Sequence, residues 1–166
     1  MLEIYKYPDP RLHEVSEPVT EFNAELHVFL DQMAETMYGA NGVGLAAVQV
    51  GNLKRMFVID ISDEETSTRK LYEFINPQIS GGQGKIVFEE GCLSVPGFTE
   101  EVQRKEKITL NYQDRFGKSH SLEATGLFAV AIQHENDHLD GILFVDRLSP
   151  LKRRLVKRKL AKAVTL

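Results

Sequence analysis

Phe22, Leu26, Phe29, Leu30, Met33 and Met37 recur at three- and four-residue spacings. That period sets them on one face and predicts an amphipathic helix, with Thr20 or Asn23 near its start and Gly39 near its end. Upstream, Pro8, Pro10 and Pro18 keep the chain extended or turned. Residues 40–51 are glycine-rich and apolar. They are too irregular for a helix and read as a loop leading into an extended segment. The pattern then turns to strands. Met56–Ile59 and residues 71–79 are apolar enough for two of them, with a polar loop over residues 62–70 between. Gly81, Gly82 and Gly84 mark a turn before Lys85–Phe88. Ile108, Leu110 and Tyr112 alternate with polar residues, and Asp114–Gly117 can turn the chain into Lys118–Leu122, which makes a hairpin. A second helix is predicted from about Ala124 to Leu139, stopped by Asp140-Gly141, and a third from about Pro150 to Ala163. Helix, several strands, helix, helix implies an α+β fold, with antiparallel sheet packed on a buried helix.

Composition narrows this reading. With 166 residues, 42% hydrophobic and 27% charged, the chain is predicted to be one globular domain over residues 1–166, not a coiled coil or a disordered tail. No apolar run approaches the ~20 residues of a membrane helix. The first residues, Met1–Lys6, show neither a signal-peptide pattern nor a transit-peptide pattern, so a cytoplasmic protein is expected. The net charge of −4 is unevenly spread. Residues 149–166 carry seven Lys/Arg and no acid, which leaves 13 basic and 24 acidic side chains, a formal −11, on the rest. That excludes a nucleic-acid footprint over the whole protein but leaves room for a local basic contact at the C-terminus.

Gln133-His134-Glu135-Asn136-Asp137-His138 contains H-E-x-x-H. On a helix, His134 and His138 share a face and can reach one metal ion, while Glu135 can hold a water and move its proton. Leu127, Val130 and Ala131 keep helical spacing with His134, so the histidine face is also the buried face. The plain alternative is two satisfied core histidines. A catalytic metal site usually has three protein ligands. After His138 there is no further His or Cys, only Asp140 and Asp146 among nearby carboxylates. Upstream lies Cys92, the single cysteine, in Glu90-Gly91-Cys92-Leu93-Ser94. It could be a small core residue, a nucleophile with His134 as base, or a thiolate ligand; beside H-E-x-x-H the ligand reading is the better one. Gly42–Gln49 lacks the phosphate-loop pattern. It is either a tightly packed turn or a loop whose backbone pairs with an extended substrate and ends in an amide donor, Gln49.

These three segments together resemble the peptide deformylases. The family pattern G-x-G-L-A-A-x-Q, E-G-C-x-S, Q-H-E-x-D-H-L-x-G is met at every fixed position, in order, by Gly42–Gln49, Glu90–Ser94 and Gln133–Gly141. The resemblance implies a bacterial-type, iron-dependent metallohydrolase with antiparallel sheets around a central H-E-x-x-H helix. It further implies removal of the formyl group from N-formylmethionine of nascent polypeptides, with release of formate. One divalent metal per chain is implied, Fe(II) in cells, with Zn(II), Ni(II) or Co(II) able to occupy the site. Cys92, His134 and His138 are then its ligands. Glu135 carries the proton, and the Gln49 side chain and Leu93 N–H meet the oxyanion. A methionine side chain needs an apolar pocket, for which Val43, Phe88, Leu127, Val130 and Ala131 are candidates, with the peptide adding as a strand beside Val43, Gly44 and Leu45. Two rival readings remain: an H-E-x-x-H metallopeptidase and a non-catalytic ribosome-associated module. In the last helix, Leu148, Leu151, Leu155 and Leu160 are predicted to form an apolar stripe. Its basic surround suggests a contact with ribosomal RNA, or only a solvated face.

Overall fold

Asn23 starts the first helix: its side-chain oxygen accepts the Leu26 N–H at 3.0 Å, which satisfies one of the free donors of the first turn. The helix, α1, runs Ala24–Gly39 and buries Leu30, Met33 and Met37 completely. This computed structural model describes residues 1–62 and 69–165. Most of the polar loop predicted over 62–70 lies outside the described residues.

Among the described residues seven strands follow: β1 Gly44–Ala46, β2 Met56–Ile59, β3 Tyr72–Gln83, β4 Ile86–Cys92, β5 Val95–Arg104, β6 Lys107–Gln113 and β7 Ser119–Thr125. Five of them form an antiparallel sheet in the order β1-β2-β3-β6-β7, while β4 and β5 form a separate two-stranded ribbon. The helix α2 spans Gly126–Leu139, and α3 spans Pro150–Thr165. The α+β class with antiparallel sheets is as expected.

Strand alternation explains how the layers assemble. On β2, Met56 and Val58 pack with Leu30, Met33 and Met37 of α1. Phe57 and Ile59 point the other way, into a core shared with Phe74, Leu110, Ala129, Ile132 and Leu139. The sheet thus holds α1 on one face and α2 on the other. A third cluster joins Val95 and Val102 of the ribbon to Phe144, Leu148, Val156 and Leu160 at the C-terminus.

The differences from the predicted elements have local causes. Residues 40–51 hold β1 and a short 3-10 turn, Ala47–Val50. Gly81 and Gly82 continue β3, and the chain turns at Gly84, whose φ of +70° suits glycine. The second helix begins at Gly126, because Ala124 and Thr125 pair with Ile108 and Lys107. The predicted stripe of α3 is corrected: Leu148 and Leu160 are buried, but Leu151 and Leu155 are 66% and 45% exposed, and Val156 takes the inward position. No described helix is long and apolar enough to cross a membrane.

Candidate metal centre

Helical spacing brings His134, Glu135 and His138 to the buried side of α2. The ribbon brings the thiol. Its register shifts between Gly91 and Cys92, so that Cys92 faces Val95 across a two-residue turn. Gly91 lets the strands close there, since a Cβ would stand 3.3 Å from the Thr99 methyl. One ligand atom from each of Cys92, His134 and His138 lies within 4.8 Å of the other two. Cys92 Sγ is 3.4 Å from His138 Nε2.

The imidazoles are prepared differently. His134 lies with Nδ1 2.8 Å from Glu90 Oε1; donating there leaves Nε2 free to accept a cation. Burial opposes charge on His134, but hydrogen bonds to Cys92 and Glu90 outweigh it and hold its pKa well above the ordinary value in the metal-free protein, so a cation binding at Nε2 would take the place of a proton there. His138 is fully buried, and burial together with the nearby positive charges of His134 and Arg104 keeps its pKa well below the usual range. Both effects favour the neutral ring, the form that binds a metal. A thiolate with two imidazoles suits a borderline divalent cation and leaves room in a tetrahedral shell for a fourth group. The residues present therefore fit a catalytic metal.

Glu135 lies beside this set, with Oε1 3.7 Å from His134 Nε2. Its Oε2 is buried and has no hydrogen-bond partner among the described residues. Burial pushes its carboxyl up to about 7, against the pull of His134. Gly44 allows β1 to close on it, because a Cβ there would meet Glu135 Oε1 at 2.9 Å. Gln49 has a fixed orientation. Its Oε1 accepts the Ala46 N–H at 2.9 Å, so the amide nitrogen faces Ser94 Oγ at 3.0 Å and Cys92 Sγ at 3.6 Å.

These groups open into a cavity of about 480 Å³. Every predicted site residue except His138 lines it: Gln49, Cys92, Leu93, His134 and Glu135, together with Val43, Gly44, Phe88, Leu127, Val130 and Ala131. Val130 and Ala131 are buried, whereas Val43, Phe88 and Leu127 are partly exposed apolar groups. Among the described residues, β1 is an edge strand of its sheet, paired only with β2.

Sequence reasoning gave no role to Ser94, Glu90, Arg104 or Arg147. Arg104 donates from Nε and Nη2 to the two oxygens of Glu90, each at 2.8 Å, and from Nη1 to Asp137 at 2.6 Å. Asp137 also accepts from Arg147 at 2.7 and 3.0 Å. One signal was available: Arg104 has the same strand parity as Val102, and both are buried.

The sequence matches the polypeptide deformylase family over residues 1–154. It is 53% identical to a peptide deformylase of Thermodesulfovibrio yellowstonii over 159 residues, 96% of each chain. Identity to that of Wolinella succinogenes is 53% over 164 residues, 98% of this chain and 96% of the relative. The fold superposes on the crystal structure of a peptide deformylase from Legionella pneumophila with a TM-score of 0.91 and 45% identity, covering 99% of this chain and 96% of that one. The chain that builds an edge strand closing on Glu135 through Gly44, a ribbon that delivers Cys92 and a helix that delivers two histidines thus belongs to the polypeptide deformylase family.

Proposed function

We propose that this protein removes the formyl group from N-formylmethionyl nascent polypeptides in the cytoplasm, by hydrolysis to formate and a free amine. The observation that carries the reading is the convergence of Cys92, His134 and His138 beside the buried Glu135 carboxyl, whose Oε2 has no hydrogen-bond partner among the described residues, at one wall of an apolar cavity. Cys92, His134 and His138 would hold one divalent metal, Fe(II) in cells, with Zn(II), Ni(II) or Co(II) as substitutes. When bound, that ion supplies a Lewis acid and lowers the pKa of water.

The remaining work belongs to the chain. Glu135 takes a proton from the attacking water and passes it to the leaving amine; a buried carboxyl beside the ligand set is placed for both transfers. The Gln49 amide, fixed by Ala46 and Ser94, presents an N–H on the Cys92 side, where charge develops on the formyl oxygen. The Leu93 N–H is the second donor. A donor of this kind is typically worth about 3–4 kcal/mol of barrier. Val130 and Ala131, with Val43, Phe88 and Leu127 around them, form an apolar wall for the methionine side chain. The peptide lies along the edge of β1 near Gly44, as an added strand.

The test is formate release from formyl-Met-Ala-Ser by metal-loaded and chelated protein, with an unformylated internal peptide alongside. Activity should vanish with the metal and return when Co(II) is added. Unchanged turnover in protein shown to be metal-free, or cleavage of the internal peptide without formate, would overturn the assignment. Cys92→Ala should lose metal and activity together.

The second part of the proposal concerns α3. It docks Val156 and Leu160, and leaves Arg154, Arg158, Lys159 and Lys162 exposed beside Leu151 and Leu155. A basic surface on an acidic body suits a weak, salt-sensitive contact with ribosomal RNA. Arg154→Glu with Arg158→Glu and Lys159→Glu should abolish co-sedimentation with ribosomes at low salt and leave formyl-peptide hydrolysis unchanged. Equal co-sedimentation would reduce α3 to a solvated face.

A further inference from the structure

We propose that Arg147 is a positioning residue for the metal centre, acting on His134 through Asp137, Arg104 and Glu90. The inference rests on the metal ligation proposed above. Arg147 closes a short 3-10 turn, Phe144–Arg147, just before α3. No part of it touches the cavity that holds Cys92 and Glu135.

The path consists of four direct contacts. Arg147 grips Asp137 with two donors, Nη2 to Oδ1 at 2.7 Å and Nε to Oδ2 at 3.0 Å. Asp137 Oδ2 also accepts Arg104 Nη1 at 2.6 Å. Arg104 donates from Nε and Nη2, each at 2.8 Å, to the two oxygens of Glu90. Glu90 Oε1 in turn accepts from His134 Nδ1 at 2.8 Å. Four elements contribute: β4 gives Glu90, β5 gives Arg104, α2 gives Asp137 and His134, and the C-terminal turn gives Arg147.

Charge balance makes the outermost member matter. Two carboxylates alternate with two guanidinium groups, so the row is formally neutral. Arg104 and Glu90 are each 4% exposed at the side chain and Asp137 10%, so water does little to compensate. Without Arg147, the Asp137 carboxylate keeps one of the three hydrogen bonds described for it, and its free lone pairs compete with Glu90 for the guanidinium of Arg104. Glu90 is then held less firmly, and so is the ring plane of His134. Groups that orient a metal-bound histidine typically change metal affinity by about 10- to 100-fold when removed. Arg147 is also the member that solvent reaches, with its side chain 47% exposed.

The experiment measures metal loss from the Co(II)-loaded protein to excess chelator, well below each variant's melting temperature, together with the visible Co(II) spectrum. Arg147→Ala should release the ion about tenfold faster and shift the spectrum, because the His134 ring tilts. Asp137→Asn should release it faster still. Arg147→Lys, which keeps the charge and loses the fork, should fall between wild type and Arg147→Ala. Lys157→Ala is the control, because it removes another C-terminal ion pair, 3.2 Å to Asp146, that does not reach Asp137. It should match wild type. Wild-type release rates and spectra in Arg147→Ala and Asp137→Asn would overturn the proposal. Equal acceleration by Lys157→Ala would also overturn it, since that would mean only a loosened terminus. Failure of the wild type to hold a stoichiometric ion would instead sink the metal reading itself.

Discussion

The helix α2 is buried on two sides by opposite means. Toward the five-stranded sheet it presents Ala129, Ile132 and Leu139 to Phe57, Phe74 and Leu110. Toward the ribbon and the C-terminal turn it presents His134, Asp137 and His138 to Glu90, Arg104, Arg147 and Cys92. Apolar packing is non-directional and roughly proportional to area, so the first side fixes where the helix lies. Hydrogen-bonded charges depend on direction, so the second side fixes how individual side chains are rotated. Buried ion pairs do not in general make a protein more stable than apolar packing of the same volume. Here they hold imidazoles and a carboxylate in one arrangement, which apolar groups cannot do.

Four predictions would break or sharpen this contrast. The largest effect belongs to Arg104→Met. It leaves Glu90 and Asp137 facing each other without their shared cation, and should cost about 3–5 kcal/mol in urea denaturation. Metal content should fall with it. On the apolar side, Ile132→Ala should cost about 3 kcal/mol by the same measurement. Its metal content should stay at one per chain, because no hydrogen bond is lost. If Ile132→Ala empties the site as readily as Arg104→Met, the two sides do not divide their work as described.

Glu135→Gln should lower turnover by roughly 10²-fold while metal is retained. It also has a stability signature in the metal-free protein. Burial raises the folded-state carboxyl from 4.5 to about 7, so ionising it costs folding free energy. That cost is absent below 4.5, grows as pH rises, and is complete above about 7. Glu135→Gln should therefore be more stable than wild type at pH 8, and the gain should vanish near pH 4. A gain independent of pH would mean that Glu135 is not buried as an ionisable group. The smallest effect expected is from Gly44→Ala. The added methyl meets the Glu135 carboxylate at 2.9–3.0 Å and must push it by a few tenths of an ångström. Turnover should fall about tenfold with metal content unchanged.

Much of this arrangement is legible along the chain, and the exceptions are informative. The i, i+4 spacing of His134 and His138 specifies a shared helical face without any tertiary knowledge. Cys92 is different: only pairing with Val95 across a two-residue turn brings its sulfur to the histidines, and no local pattern encodes that meeting. Helix boundaries failed where a strand competed for the same residues, as at Ala124 and Thr125. In α3, Leu151 with Leu155 and Val156 with Leu160 are two i, i+4 pairs on neighbouring faces. The predicted stripe takes Leu151 and Leu155 together with Leu148 and Leu160, but the ribbon and the C-terminal turn bury Val156 with Leu160 instead of the first pair. Arg104 escaped notice because a charged residue in a strand is ordinarily read as exposed. Its partners lie 14 residues before it and 33 after it.

The turn between β6 and β7 lies between the two halves of the reactive set. Gln49 and Cys92 come before it in the chain; His134, Glu135 and His138 come after it. The turn itself is short, held by Asp114, which accepts the N–H groups of Phe116 and Lys118, and Phe116 at its tip is 74% exposed. A protein cut there would divide into two pieces, neither with the three ligands, joined again through the ladder of β6 and β7, the sides of α2 and the packing of the C-terminal turn and α3 on the ribbon. Formate production from such a pair of fragments would then count their reassembly, and the enzyme would serve as its own reporter of strand pairing.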